Sequence, residues 1–385
     1  LFNSIEFLYF LPIVLSLYWF LKGRTTLQNA FILIASYFFY GWWNWKLLPL
    51  IIFTSFCSWY CSLKVSQTNS KKIKKIFVGI NVTVNLLILF FFKYYNFFVD
   101  SFVETFTFFG KNLNIQTLNI ILPVGISFYT FQALSYSIDV YKEKIKPTSN
   151  IINYFAYVSF FPQLVAGPIE RATNLLPQFS QRRVVDIESF FDGLRQMLWG
   201  FFKKMVIADT LASPINEVFA NYQIYPASTL VLVAFLFSFQ IYCDFSGYSD
   251  IAIGTSRLFG FNLMQNFNYP YFSRDIAEFW RRWHISLTTW FRDYIYIPLG
   301  GSRVPKILII RNTFIIYLLS GLWHGPNWTF VFWGGINALL FIPLILRGKN
   351  RKNIGGIAEN YWLPSVKEAY GMLRTFLLAS LCWIF

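Results

Sequence analysis

The chain has 385 residues, of which 56% are hydrophobic and only 13% charged, about half the charged fraction of an ordinary soluble domain. That balance excludes a water-soluble globular protein and predicts a polytopic membrane protein, all-α, read as one transmembrane domain over residues 1–385. Net charge is +15, from 33 Lys and Arg against 18 Asp and Glu. The basic residues cluster in short loops between apolar runs, the signature of cytoplasmic loops, and no basic helix or aromatic-basic motif stands apart from those runs, so nucleic acid is not expected as a partner.

The first apolar run, residues 4–21, has no basic segment before it and no small-residue cleavage site, so it reads as a retained span rather than a signal peptide. The basic KGR at 22–24 then marks the cytoplasm and places the N-terminus outside. A second span over about 28–43 ends in the interfacial aromatic cluster GWWNW (41–45). A third, 47–63, runs into the strongest basic loop, ending KKIKK (71–75). A fourth, about 76–92, leads outward, and the run 118–138 returns to the cytoplasmic YKEKIK (141–146).

Residues 151–168 hold Pro162, Gly167 and Pro168 and read as a dip into the membrane and back. Such broken helices survive in lipid only when buried in protein or lining a cavity. A helix at about 188–212 leads to a polar loop, 213–226, free of Lys and Arg and hence external. The run 228–260 carries Asp244 and Asp250 around an expected break at Ser246-Gly247. These carboxylates lie on different helix faces and read as structural or gating groups, paired with Arg257. Residues 271–306, with five arginines and Lys306, are too charged to span and are placed at the cytoplasmic face or in a re-entrant helix. Spans at 307–322 and 328–346 follow, the second ending in the basic RGKNRKN (347–353). The chain lacks a starting Met and ends within the apolar LLASLCWIF (377–385), so both an initiator and further C-terminal spans are expected beyond it. The four cysteines lie in apolar runs and read as packed thiols.

Two histidines are present in the whole chain. His284 lies in EFWRRWHISLTTWF, where a continuous helix from about 274, with Ser273 as N-cap and Asp275 in the first turn, would put Trp280, His284, Leu287 and Phe291 on one face. Glu278 and Arg282 form an expected i, i+4 pair. Arg281, Arg282 and Arg292, with Gly300-Gly301-Ser302-Arg303, suit a phosphate-rich donor such as coenzyme A; anchoring of positive charge at the inner face explains the same arginines. His324 lies in SGLWHGPNW at the outward end of its span, between Gly321 and Gly325. Imidazole in a membrane segment marks a functional site by default, and it exchanges protons near neutral pH, as acyl transfer to a hydroxyl requires. Two histidines make a poor catalytic zinc site, which normally has three protein ligands, so no metal is expected. No Gly-x-Ser-x-Gly elbow is present.

SGLWHGPNWTFVFWG (320–334), FWRRWHISLTTWFRDYIYIPLGG (279–301), QIYCDFSGYSDIAIG (240–254) and FFPQLVAGPIER (160–171) together resemble the membrane-bound O-acyltransferase (MBOAT) family, in its bacterial alginate O-acetyltransferase-like branch. The likeness covers nearly the whole chain. It implies a ring of tilted helices with re-entrant segments around a central tunnel, in the bacterial inner (cytoplasmic) membrane. It implies His324 and His284 as the catalytic pair, with acetyl-CoA as the donor substrate and no bound cofactor. The acceptor is an extracytoplasmic hydroxyl on a surface glycan, reached directly or through an SGNH-type partner. Trp323 and Asn327 are expected to stabilise an oxyanion at the acceptor side, and Trp280, Arg281, Arg282 and Arg303 to contact substrate. His284 is expected to position the donor or assist thiolate departure. A D-alanyl transfer protein of teichoic-acid type, and a polytopic transporter or flippase, are the competing readings.

Overall fold

The computed structural model describes every residue except 1, 112, 114, 116, 165, 166, 360 and 385. Among the described residues there is no β-strand; the chain runs α1 (Ile5–Phe20), α2 (Thr25–Asn44), α3 (Leu48–Gln67), α4 (Lys71–Leu89), α5 (Tyr95–Phe108), α6 (Ile126–Tyr141), α7 (Ile151–Ser159), α8 (Phe161–Leu164), α9 (Ala172–Ser180), α10 (Ile187–Phe201), α11 (Asp209–Ala220), α12 (Ala227–Leu258), α13 (Ile276–Arg282), α14 (Ile285–Phe291), α15 (Lys306–His324), α16 (Trp328–Leu346) and α17 (Val366–Cys382). Among the described residues five helical stretches are long and apolar enough to cross a bilayer: 25–67, 71–108, 227–258, 306–324 and 328–346. The chain divides into two compact units, 1–195 with 252–263, and 196–251 with 264–385.

In the first unit α3, α4 and α6 pack on one another and α7 packs on α2. The expected span 118–138 is helical only from Ile126, because Pro123 and the left-handed Gly125 (φ 73°) hold the preceding backbone out of the helix. The resulting α6 is buried on nearly all sides, its polar Ser127, Thr130, Gln132, Ser135, Ser137 and Asp139 included. Polar side chains join it to its neighbours: Ser58 Oγ of α3 and Asn81 Nδ2 of α4 both donate to the Ala133 carbonyl, at 2.8 and 3.2 Å; Tyr154 OH of α7 in turn donates to Ser58 Oγ at 2.9 Å. Such interhelical hydrogen bonds take the role that the hydrophobic effect cannot play between helices in lipid. α7 has nine residues, about 14 Å at helical rise, too short to cross a hydrocarbon core of about 30 Å.

Three expectations for the middle of the chain are corrected. The fourth span does not stop near 92 but continues through a π-helical turn at Phe90–Tyr94 into α5. The helix expected at 188–212 likewise passes through a π-helical segment, Phe202–Ala208, and through Pro214 to Ala220, so the loop begins only at 221. Third, α12 runs unbroken through Ser246-Gly247. Gly247 serves contact rather than a break. A Cβ there would stand 2.8 Å from the Gly200 carbonyl oxygen, and one at Gly200 would stand 2.7 Å from that of Gly247. The two backbones touch, and any side chain at either position would separate them.

The second unit carries an aromatic core in which Phe267, Phe279, Trp280, Trp283, Tyr317 and Trp333 are buried together, with Trp383 of the C-terminal segment packed against them. α15 and α16 form a tight antiparallel hairpin: a Cβ on Gly321 would lie 2.1 Å from the Phe330 carbonyl oxygen, and one on Gly334 2.3 Å from that of Tyr317.

Candidate active site

The block expected to be one helix from 274 is two short ones. Asp275, not Ser273, caps α13, its Oδ1 accepting from Glu278 N at 2.8 Å, while Ser273 Oγ donates to the Pro270 carbonyl. The helix ends at Arg282; Trp283 is extended and His284 stands in the left-handed region, φ 45° and ψ 55°, as the N-cap of α14. His284 therefore shares no continuous helix face with Trp280, Leu287 and Phe291. A non-glycine residue in this conformation carries about 1 kcal/mol or more of strain and persists only where its surroundings enforce it.

Asn266 enforces it. His284 Nδ1 is 3.1 Å from Asn266 Oδ1, which also accepts from Ser286 N at 3.3 Å and Ser286 Oγ at 2.9 Å. The Asn266 backbone carbonyl accepts from Ile285 N at 2.8 Å, and its Nδ2 donates to Ser249 Oγ at 3.1 Å. The Ser286 backbone N–H can only donate, so the amide atom facing it is the oxygen. The imidazole nitrogen facing that oxygen then carries the hydrogen. Nδ1 is the donor, and Nε2 of the neutral ring holds the lone pair. His284 is 1% exposed, and its Nε2 is buried with no hydrogen-bond partner among the described residues. Burial pushes the imidazole well below its ordinary range, and the charge of nearby His324 lowers it further, so the ring is neutral at physiological pH.

Aromatic rings wall the imidazole. Phe245 meets it edge-on with centroids 4.6 Å apart, Phe267 stacks at 6.5 Å, and Trp323 lies at 5.9 Å. The same Trp323 ring stands 5.0 Å from that of His324, so one buried indole touches both histidines. His324 is the last residue of α15, exposed, with Trp333 of α16 edge-on at 5.2 Å; Trp333 in turn meets Trp280 at 5.6 Å. Asn327 caps α16, its Oδ1 accepting from Thr329 N and Oγ1, which leaves its Nδ2 uncommitted to the cap.

The remaining expected site residues do other work. Arg281 donates to the Asn350 and Asn353 carbonyls at 3.1 and 2.7 Å, tying the 347–353 loop to α13. Arg282 donates to the Asn268 carbonyl and forms the expected pair with Glu278 at 2.9 Å, and Glu278 also holds Arg274. Arg303 is exposed. Asp244 pairs with Lys204 and Asp250 with Lys203, both lysines on the π-helical segment, while Arg257 pairs with Asp192; the expected pairing of the aspartates with Arg257 is replaced by these. Among the described residues no three His, Cys, Asp or Glu side chains gather as metal ligands.

Sequence reasoning passed over Asn266, Ser286, Trp333 and Phe245. Only the asparagine-rich stretch FNLMQNFN (261–268), polar within an apolar chain, hinted at the first.

The family model described as the membrane-bound O-acyltransferase family matches residues 37–351. A probable alginate O-acetylase of Pseudomonas syringae pv. tomato is 45% identical over the whole of this chain and 71% of its own length. A peptidoglycan O-acetyltransferase of Helicobacter pylori is 34% identical over the whole chain and 76% of its length. A teichoic acid D-alanyltransferase of Bacillus subtilis is 26% identical over 63% of this chain and 64% of its own.

Proposed function

The chain belongs to the membrane-bound O-acyltransferase family and is a multi-pass bacterial membrane O-acetyltransferase, and from that premise we propose that it moves an acetyl group from cytoplasmic acetyl-CoA to an extracytoplasmic glycan hydroxyl, directly or through an SGNH-type partner, in the inner membrane. Two relatives matching the whole chain are named for O-acetylation of alginate or peptidoglycan, whereas the D-alanyl transfer protein matches less of it at lower identity; that difference favours acetyl transfer. One family model matches residues 37–351, most of the chain, which supports reading it as one functional domain.

The observation that carries the mechanism is the single indole of Trp323 packed against both a buried neutral His284 and an exposed His324. In the proposed reaction His324 takes the proton of the acceptor hydroxyl as its oxygen bonds to the thioester carbonyl carbon. The carbon–sulfur bond then breaks, and the proton passes to the departing thiolate. Trp323 and the uncommitted Asn327 Nδ2 are the proposed oxyanion donors. His284 presents a lone pair at Nε2, so while neutral it accepts a hydrogen bond and positions the donor rather than protonating the leaving thiolate. Its aromatic walls exclude the water that would hydrolyse the thioester. Of the proposed donor contacts, Arg303 is exposed, and Trp280, Arg281 and Arg282 frame the wall and the loop beside it.

The test uses protein in nanodiscs with radiolabelled acetyl-CoA and candidate acceptors, comparing wild type with His324→Ala and His284→Ala. Loss of label transfer by about a thousandfold in folded His324→Ala is expected. Unchanged transfer in both variants would refute the histidine mechanism.

A further inference from the structure

The second unit contains a cavity of about 700 Å³ between the C-terminal end of α16, the N-terminal half of α17 and the start of α13. Its lining is mixed. Lys367 at the start of α17, with Arg347, Lys349 and Lys352 just past α16, stands where the two helices meet their connecting loop, and Arg374 lies two turns further along α17. Leu340 and Leu344 on α16 and Leu378 on α17 line the same cavity. On α17 the lining positions 367, 370, 371, 374, 375 and 378 recur at helical spacing, so one face of that helix presents Lys367, Arg374 and Leu378 to the cavity over about 16 Å.

The cavity's two carboxylates are already spent. Asp275 caps α13 and accepts from Asn353 Nδ2 at 2.6 Å; Glu368 closes the capping box with Ser365 and pairs with Arg274 at 3.0 Å. Arg274 is likewise consumed, by Glu278, Glu368 and the Gly355 and Gly356 carbonyls. Those bonds hold the cavity's shape and leave five cations around it with no carboxylate among the described residues to balance them.

We propose that this cavity binds an anionic phospholipid, its phosphate among Arg347, Lys367 and Arg374 and an acyl chain along Leu340, Leu344 and Leu378. The pairing of cations with an apolar wall selects the ligand. Three of the cations belong to the basic loop 347–353, whose charge assigns it to the cytoplasmic side, where anionic headgroups gather, and Leu340 and Leu344 lie on a helix long and apolar enough to span. A soluble phosphate ester would satisfy the cations but leave the apolar wall unfilled. The inference stands independently of the acyl-transfer mechanism, because none of these residues belongs to the proposed catalytic group.

The full-length protein, delipidated in detergent, would be mixed with equimolar phosphatidylglycerol and phosphatidylcholine and the retained lipids counted by native mass spectrometry. Retention of phosphatidylglycerol over phosphatidylcholine by wild type is expected, falling at least about tenfold in Arg347→Gln/Lys367→Gln/Arg374→Gln. A control variant, Lys71→Gln/Lys72→Gln/Lys75→Gln, removes as much basic-loop charge from the other unit and should retain phosphatidylglycerol like wild type. Equal retention of both lipids, equal loss in the control, or displacement of bound phosphatidylglycerol by millimolar ADP would each overturn the proposal, the last by assigning the site to a soluble phosphate ester. All the substituted side chains are exposed, and unchanged acetyl transfer by the triple variant in phosphatidylcholine nanodiscs would show that it folds.

Discussion

Asn266 Oδ1 accepts from His284 Nδ1 at 3.1 Å and from Ser286 Oγ at 2.9 Å, so one amide oxygen sets both the strained backbone at His284 and the tautomer of its ring.

Asn266→Ala removes the acceptor and frees the imidazole to rotate or change tautomer. An activity loss of about 10–100-fold is expected, the usual effect of losing a partner that orients a functional histidine. Asn266→Asp should act differently: a carboxylate beside Nδ1 favours the imidazolium, and the acid limb of the pH–rate profile should move upward. A purely structural role would give equal losses at every pH.

Stability should carry the mark of the buried imidazole. Its native-state value lies well below that of the unfolded chain, about 6.5. Between the two the unfolded state binds one more proton, so stability is full above about pH 6.5 and declines as pH falls below it, by up to about 1.4 kcal/mol per pH unit. His284→Asn tolerates the left-handed backbone and does not titrate. Thermal unfolding from pH 7.5 to 5 should show the decline in wild type and a shallower one in His284→Asn; parallel curves would mean that the imidazole titrates normally.

Gly321→Ala sets a gain against a clash. Helix propensity favours alanine by about 1 kcal/mol, but its Cβ would lie 2.1 Å from the Phe330 carbonyl oxygen, a backbone atom that cannot swing away. Overpacking of about 1–3 kcal/mol should win, lowering the melting temperature and acetyl transfer together, since His324 ends the same helix. Gly334→Ala clashes across the same seam at 2.3 Å, so the double variant should be less destabilised than the sum of the singles.

The Lys203–Asp250 pair offers a cleaner test of buried charge. Lys203 Nζ also donates to Ser246 Oγ at 3.0 Å, and Gln196 Nε2 donates to Asp250. Lys203→Met alone strands a mostly buried carboxylate and should cost about 2 kcal/mol or more, while Lys203→Met/Asp250→Asn should recover part of that loss in a double-mutant cycle. Additive losses would show that the pair contributes no coupling.

Much of this was legible in the chain itself. Apolar runs of spanning length and basic loops predicted α1, α2, α3, α12, α15 and α16 to within a few residues, because crossing a bilayer demands nearly uniform hydrophobicity and the loops must hold the charge. The i, i+4 pair of Glu278 and Arg282 followed from helical spacing alone. The ends of α5, α6 and α11 were not legible: π-helical segments carry the chain on into α5 and α11, and α6 starts late behind the buried Pro123.

At the site the division is sharper. Rarity and polar surroundings singled out His284 and His324, a matter of composition. That His284 caps a helix in a left-handed conformation, with Nδ1 bonded to an asparagine 18 positions away and Nε2 left without a partner among the described residues, was decided by tertiary structure alone. A hydrogen bond depends on distance and direction in space, and sequence separation carries neither.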